Sequence, residues 1–235
     1  MTKEFPLNDY YAKIYNRYDL VNSIFTFGLD KKWRNKTTEV ILGDNPVKIL
    51  DLCCGTGKLS FTIAEQDEKF KVTGYDFSNE MLDLANSEKK ARQVVNAEFI
   101  QGNAASMPFD DETFDVVGIT FGFRNLTFNN TNENKHIQEI FRILKKKGKL
   151  VILESGSPSN LLVRFFFTIY LFLFLVPLGT IITGNFKAYL YLALSSRHYY
   201  TRQQMTLLLK SFGFCFQSVK KFLFGATNLF VATKP

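Results

Sequence analysis

The chain of 235 residues is 46% hydrophobic and 22% charged, which is enough for one well-packed domain and too short for two of ordinary size. Its N-terminal residues mix Lys, Glu and Asp and lack the apolar core of a signal peptide, so export is not expected. The cysteines Cys53, Cys54 and Cys215 have no metal-ligand spacing, and adjacent cysteines are poor disulfide partners. A reducing cytoplasm, three buried thiols and no metal site are therefore expected.

The formal net charge of +7 arises in the C-terminal third of the chain. Residues 161–235 contain eight Lys and Arg and no Asp or Glu, whereas residues 1–160 contain 21 basic and 22 acidic residues. This basic segment is also rich in Phe and Leu, which favours attraction to an anionic membrane surface over a merely solubilising face. Nucleic acid is not expected as a partner, because the basic residues are scattered among aliphatic ones.

Strands and helices alternate through the middle of the chain. Residues 8–42 have apolar residues spaced for one helical face and predict a helical cap. Strands are predicted at 47–52, 71–75, 97–101, 114–120 and 149–154, and helices at 59–65, 79–93 (with Ser78 as N-cap) and 132–144. Two closing strands, 214–222 and 227–233, include an antiparallel one. This order predicts an α/β fold with a doubly wound, mostly parallel sheet and a ligand at the carboxyl ends of its strands.

A charge-free stretch, residues 165–186, is long enough to span a membrane. Pro177, Gly179 and Gly184 predict instead a helix of about a dozen residues followed by a loop. We expect this helix to cover the substrate and dip into the membrane interface; a buried helix and a true span are the alternatives. A further helix is predicted near 201–211. The single domain would comprise a helical cap (1–45), a cofactor-binding core (46–154), an apolar and basic substrate cap (155–212) and closing strands (213–235).

The first predicted strand leads through Asp51 into a turn containing Gly55 and Gly57. Glycines let the backbone approach a ligand, and Asp76 at the end of the second strand can accept hydrogen bonds from both ribose hydroxyls. The turn lacks the third glycine of a dinucleotide fingerprint. Asp51 would repel a pyrophosphate and suits the cationic methionyl end of S-adenosylmethionine. A methyltransferase is therefore expected rather than a dehydrogenase, unless both acids are only capping or turn residues.

Longer motifs are more specific than the glycine turn. They are Tyr15-Asn16-Arg17-Tyr18-Asp19-Leu20-Val21-Asn22, Phe27-Gly28-Leu29-Asp30, Trp33-Arg34, Asp76-Phe77-Ser78-Asn79-Glu80-Met81-Leu82, Gly102-Asn103-Ala104, Met107-Pro108-Phe109 and Phe121-Gly122-Phe123-Arg124-Asn125. With them the chain resembles the ubiquinone/menaquinone biosynthesis C-methyltransferases, of class I methyltransferase fold, over nearly its whole length. It departs from that family at Cys53-Cys54, at Lys58, where Asp is frequent, and at Ser155-Gly156.

The resemblance implies a set of residues that contact S-adenosylmethionine, with Asn103 beside the adenine. They are Thr56, Asp76, Asn103, Ala104 and Thr120. The two turns add the candidates Asp51, Gly55, Gly57 and Phe77.

The resemblance also implies methylation of a ring carbon of a polyprenyl quinol. Only the reduced ring, and better its oxyanion, pushes electron density onto the neighbouring carbon. Arg124 is expected to stabilise the oxyanion and hold a water as proton acceptor, Asn125 to fix the ring oxygen and Tyr18 to orient the quinol. His198 is a weaker candidate for the base, and His136 is expected on an outer helix.

Demethylmenaquinol is the expected substrate, because the chain has no organelle address and looks bacterial; the same family also serves benzoquinols of ubiquinone synthesis. A polyprenyl tail holds the substrate in the membrane, so a cytoplasmic protein at the inner face of the cytoplasmic membrane is expected. The alternatives are a methyltransferase of another small lipophilic molecule, a non-catalytic membrane-associated scaffold that binds S-adenosylmethionine, and a nucleic-acid methyltransferase. A homodimer is left open.

Overall fold

A computed structural model describes Arg17 and residues 19–235. Seven strands form one sheet in the order β3-β2-β1-β4-β5-β7-β6. They are β1 (Lys48–Leu52), β2 (Lys71–Asp76), β3 (Ala97–Gln101), β4 (Phe114–Thr120), β5 (Leu144–Ser155), β6 (Cys215–Phe222) and β7 (Thr227–Thr233). Strand β7 is antiparallel to β5 and β6, and the other neighbours are parallel. The prediction of a mostly parallel sheet with an antiparallel closing strand is confirmed.

Helices cover both faces of this sheet. They are α1 (Leu29–Leu42), α2 (Lys58–Ala64), α3 (Asn79–Arg92), α4 (Phe123–Thr127), α5 (Glu133–Ile143), α6 (Leu161–Tyr170), α7 (Val176–Thr183), α8 (Phe186–His198) and α9 (Arg202–Ser211). On one face Trp33 of α1 and Leu59 of α2 pack in an apolar cluster with the strands. On the other face Ile140 of α5 and Leu209 of α9 pack in a second cluster. The carboxyl ends of β1, β2, β3 and β4 therefore meet at one edge between the two layers.

Local sequence signals placed most of these elements within a few residues. Ser78 caps α3 as predicted, with its Oγ accepting a hydrogen bond from the Met81 N–H at 3.3 Å. The helix predicted at 132–144 ends one residue early, because Leu144 is buried and pairs with Phe114 at the start of β5. Helices α4 and α8 were not predicted.

The prediction that the apolar stretch breaks after about a dozen residues is wrong. Leu161–Thr183 is one continuous helix of 23 residues, in which a π-helical turn, Leu171–Leu175, joins α6 to α7. This widened turn precedes Pro177 and accommodates its missing N–H and its ring. Gly179 is part of the helix, and the Tyr189 ring packs directly on it. A Cβ at this position would lie only 2.3 Å from Tyr189 Cδ1, so glycine is needed for this contact. The helix ends at Gly184, which has a φ of 73°.

The N-terminal part described contains a helical segment, residues 19–25, and then α1 after Gly28. Val21 of this segment belongs to a third apolar cluster with Leu171 of the long helix and Tyr189 of α8. The Tyr170 hydroxyl donates to the Phe25 carbonyl at 2.5 Å. The segment is thus fixed to the long helix. The rest of the predicted N-terminal cap, Tyr18 included, lies outside the described residues.

The cysteines are free, as expected, but not all are buried. Cys53 and Cys54 are half-buried in the turn after β1, whereas Cys215 is exposed. The prediction of burial is wrong for Cys215, because it begins β6, the edge strand of the sheet.

Candidate active site

The turn between β1 and α2 requires glycine at two positions. Gly55 and Gly57 have φ values of 54° and 77°, which side-chain-bearing residues rarely adopt. A Cβ on Gly57 would lie 2.7 Å from the Phe99 ring, whereas a Cβ on Gly55 would meet nothing within 4 Å. Gly57 therefore allows close packing on the sheet, and Gly55 presents its backbone to the open space above the strand ends.

Asp76, the last residue of β2, is buried and fixes this turn from the neighbouring strand. Its Oδ2 accepts a hydrogen bond from the Gly55 N–H at 2.9 Å, and its Oδ1 accepts one from the Ser78 N–H at 3.0 Å. Burial raises the pKa of the carboxyl. Each oxygen retains lone-pair capacity, so the carboxylate can accept ribose hydroxyls while the two N–H groups hold it.

Asp51 lies beneath the turn and is fully buried. Its Oδ2 accepts hydrogen bonds from the Ser60 N–H at 3.0 Å and the Ser60 hydroxyl at 2.6 Å, and its Oδ1 has no partner among the described residues. Burial raises the pKa of Asp51 to about 7. Asp51 is not among the residues that line the cavity above the turn, so it would act on a bound cation only through space.

A cavity of about 1230 Å³ lies over the carboxyl ends of these strands. Most of the sequence-predicted site residues line it: Gly55, Thr56, Asp76, Phe77, Asn103, Ala104, Thr120, Arg124 and Asn125. Gly57 and Asp51 lie behind this lining, and Tyr18 lies outside the described residues. The opposite wall is apolar and includes Phe166, Phe167 and Leu171 of the long helix and Tyr189 of α8. A single space therefore joins the glycine turn to the inner face of the long helix.

Arg124, in α4, is 3% exposed and is held by the end of β5. Its Nη1 donates to Glu154 Oε1 at 3.2 Å and to Ser196 Oγ at 3.1 Å, and it also contacts Ser155 Oγ. The Arg124 N–H donates to Glu154 Oε2 at 3.0 Å. Glu154 is 1% exposed, so the two charges form a buried pair beside the cavity. The guanidinium thus faces the cavity with its charge largely balanced.

Asn125 follows Arg124 and is half-buried on the cavity wall. The Tyr191 hydroxyl donates to Asn125 Oδ1 at 3.4 Å, and burial raises the pKa of Tyr191, which keeps it protonated as a donor. The Asn130 side chain donates to the Asn125 carbonyl at 3.0 Å. Tyr191 was missed by sequence reasoning because α8 was missed; the apolar spacing of residues 186–194 was the signal that could have indicated a helix there.

The two histidines differ in burial and in their position relative to the cavity. His136, expected on an outer helix, lies on α5, is 5% exposed and lines the cavity, with its Nδ1 2.8 Å from the Leu126 carbonyl. Burial lowers the pKa of His136, which favours the neutral ring. His198, the weaker candidate for the base, is exposed and does not line this cavity. Helix α5, which covers one face of the sheet, turns the His136 side chain inward to the cavity.

The N-terminal segment reaches the glycine turn through Asp19. The Thr56 hydroxyl donates to Asp19 Oδ2 at 3.0 Å, and Lys58 Nζ lies 3.2 Å from Asp19 Oδ1. All three side chains line the cavity. This ionic contact, together with the anchor of the same segment on the long helix, closes one side of the site.

These features fit S-adenosylmethionine. Asp76 supplies acceptors for a ribose, Gly55 leaves room for close approach, and Asp51 supplies a buried carboxyl whose Oδ1 has no partner among the described residues. Within the part of the chain that the structure describes, no group of three or more His, Cys, Asp or Glu side chains could hold a metal ion.

Solved structures share this fold. A SAM-dependent methyltransferase from Aquifex aeolicus superposes with a TM-score of 0.60 and 18% identity, covering 84% of this chain and 89% of that one. A phosphoethanolamine N-methyltransferase 2 from Haemonchus contortus, solved with S-adenosyl-L-methionine, gives a TM-score of 0.60 and 18% identity, covering 85% of this chain and 52% of that one. The predicted class I methyltransferase fold is confirmed.

Sequence relatives match nearly end to end. A demethylmenaquinone methyltransferase from Thermotoga maritima is 35% identical over 224 residues, covering 94% of this chain and 93% of that protein. Another from a Geobacillus species is 34% identical over 235 residues, covering 99% of this chain and 98% of that protein. The model of the ubiE/COQ5 methyltransferase family matches residues 1–234. The chain therefore belongs to the ubiE/COQ5 methyltransferase family, which confirms the prediction of a methyltransferase that uses S-adenosylmethionine.

Proposed function

We propose that this chain methylates a ring carbon of demethylmenaquinol in menaquinone biosynthesis. The observation that carries the proposal is the continuous cavity, which has the cofactor turn at one end and the apolar inner face of Leu161–Thr183 at the other. A quinol ring can meet the methyl donor at the turn while its prenyl tail lies along the helix. The relatives with the name demethylmenaquinone methyltransferase support the naphthoquinol over the benzoquinol.

The protein aligns the ring with the methyl donor, and a water held by Arg124 is the proposed acceptor of the phenolic proton. S-adenosylmethionine, when bound, supplies an electrophilic methyl group. Asn125, with its carboxamide oriented by Tyr191, donates to a ring oxygen and fixes the ring. Arg124 contributes positive potential beside the developing oxyanion, and Glu154 keeps the guanidinium in place without leaving a bare buried cation. Tyr18 stays a proposed contact for the quinol.

The outer face of the long helix is exposed and apolar, which supports contact with a membrane surface. The most apolar 18-residue window of the helix has a mean hydropathy of 2.3, and 22% of that window is buried. Length and composition would also allow a membrane span. The sheet argues against a span, because β5 before the helix and β7 after it pair in register along Lys149–Ser155 and Thr227–Thr233. One crossing without a return would place these paired strands on opposite sides of the bilayer.

Basic side chains follow the long helix in the sequence, and the Arg197 guanidinium lies over the Phe172 ring of that helix, 6.0 Å from its centroid. Lys187 and Arg197 are exposed on α8, and Arg202 is exposed at the start of α9. Near an anionic leaflet each contributes about 1 kcal/mol of attraction. We therefore place the protein at the cytoplasmic face of the membrane, with the helix at the level of the headgroups and the cavity open toward the quinol pool.

Vesicle binding tests the membrane contact. Phe174 and Ile181 are 59% and 78% exposed on the long helix, and Val95 is 75% exposed away from it. The double variant Phe174→Ser, Ile181→Ser is expected to bind anionic vesicles at least about tenfold more weakly than the wild type, from the apolar area it loses. Val95→Ser serves as the matched control and keeps wild-type binding. Equal binding by all three proteins would contradict the proposed surface.

Acceptor choice tests the substrate. Purified protein is given labelled S-adenosylmethionine with reduced demethylmenaquinol, with reduced demethyl benzoquinol, or with a soluble phenol, in detergent. The proposal predicts faster transfer to the naphthoquinol than to either other acceptor. Transfer only to the soluble phenol would support a different small-molecule methyltransferase, and cofactor binding without any transfer would support a scaffold.

A further inference from the structure

An ion pair lies beside the glycine turn between β1 and α2, on the wall of the cavity. Lys58 Nζ lies 3.2 Å from Asp19 Oδ1, and the side chains are 40% and 38% exposed. The Thr56 hydroxyl donates to the other oxygen of Asp19 at 3.0 Å. These three side chains bring one negative charge, one positive charge and one hydroxyl to the same corner of the cavity.

This pair contributes little to stability by itself. A half-exposed salt bridge is worth at most about 1 kcal/mol, because water screens both charges. The segment that carries Asp19 is fixed independently, through Val21 in its apolar cluster and the Tyr170 to Phe25 hydrogen bond. Both charges can therefore exchange partners without unfolding the segment.

The pair lies where the amino-acid end of the cofactor must go. Asp76 accepts the ribose at one end of the turn and is bonded to Gly55. The methionyl chain extends from the ribose, and Thr56 and Lys58 follow Gly55 along the chain. The amino-acid end carries an ammonium and a carboxylate on one carbon, so its complement is an anion next to a cation.

We propose that Asp19 and Lys58 are the binding residues for the zwitterionic amino-acid end of the cofactor, Asp19 for its ammonium and Lys58 for its carboxylate. The ion pair between them opens, and each charge pairs with the cofactor instead. This inference rests on the use of S-adenosylmethionine. Lys58 supplies the cation for the cofactor carboxylate, beside the anion of Asp19.

Two ligands that differ only at this end test the assignment. S-adenosylhomocysteine carries the amino acid, whereas 5′-methylthioadenosine replaces it with a methyl group. Calorimetry measures the Kd of each for the wild type, Lys58→Met and Asp19→Asn. Lys69→Met is the matched control, because Lys69 forms a similarly exposed pair with Asp67 outside the cavity.

Lys58→Met and Asp19→Asn are each expected to raise the Kd of S-adenosylhomocysteine about fivefold, the equivalent of about 1 kcal/mol. The Kd of methylthioadenosine is expected to stay unchanged. Added salt is expected to weaken the binding of S-adenosylhomocysteine less in Lys58→Met than in the wild type. If a variant lost affinity equally for both ligands, the ion pair would have only a structural role, and the proposal would be overturned. No loss of affinity for either ligand would overturn it as well. A wild type that binds neither ligand would refute the cofactor site itself, independently of any quinol assay.

Discussion

Replacing Asp51 with Asn removes a pH-dependent cost of folding. Burial raises the pKa of Asp51 from 3.8 to about 7, so between these values the folded chain retains a proton that the unfolded chain has released. Stability from this group is therefore greatest at low pH and falls as the pH rises toward about 7. Each pH unit in that window lowers the free energy of unfolding by about 1.4 kcal/mol. From about pH 5 to about pH 8 the free energy of unfolding of the wild type falls by about 3 kcal/mol through Asp51, and hardly changes above that.

Urea unfolding followed by fluorescence measures this loss. Trp33 is the single tryptophan, is buried, and packs on the Phe121 and Phe222 rings, so its emission reports the core. The amide oxygen of Asn can still accept both Ser60 hydrogen bonds, so the comparison isolates the charge.

The free energy of unfolding of Asp51→Asn minus that of the wild type is expected to increase by about 3 kcal/mol between about pH 5 and about pH 8. Asp83→Asn, an exposed carboxylate on α3, serves as control and keeps a constant difference. A constant difference for Asp51→Asn as well would refute the reasoning, because the buried carboxyl would then titrate as in the unfolded chain.

Three further substitutions test packing and pairing, each by urea unfolding. Arg124→Met leaves the Glu154 carboxylate buried without its cation and lowers the free energy of unfolding by about 3 to 5 kcal/mol; adding Glu154→Gln recovers part of this, and strictly additive losses would contradict the pairing. Gly179→Ala forces a Cβ into the Tyr189 ring and destabilises by about 1 to 3 kcal/mol, and an unchanged midpoint would contradict the close contact. Thr201→Ala removes the capping box of α9 at a cost of about 1 kcal/mol, and a neutral result would mean that the cap is not formed.

A matched glycine separates the steric effect of Gly179→Ala from a general effect of alanine. Gly43 has ordinary backbone angles, and a Cβ there would lie 3.5 Å from its nearest neighbour, which is normal contact. Gly43→Ala is expected to leave the midpoint nearly unchanged.

The sheet and the cofactor half of the site could be predicted because their signals are local. The strands are short apolar runs between helices, and Gly55 and Asp76 follow them at the positions where a doubly wound sheet gathers its ligand contacts. The glycine positions also have a local cause, the positive φ of the turn.

The remainder depends on contacts between distant parts of the chain. The rule that Pro177 and Gly179 end a helix failed because a π-helical turn accommodates the first and Tyr189 packs on the second. The motif indicated Arg124 as a site residue. Its burial against Glu154, 30 residues later, depends on tertiary packing, and it makes Arg124 part of an ion pair instead of a free cation. The inward direction of His136 was equally hidden, because α5 was predicted without the face it buries.

The most direct test of the account is the position of the transferred methyl group. Purified protein is incubated with S-adenosylmethionine carrying a deuterated methyl group and with demethylmenaquinol kept reduced, and the product is analysed by mass spectrometry and NMR; oxidised demethylmenaquinone is run in parallel. We predict a deuterated methyl group on the ring carbon from the reduced substrate and none from the oxidised one. A methyl group on a ring oxygen, equal transfer to the oxidised ring, or no transfer would contradict the account.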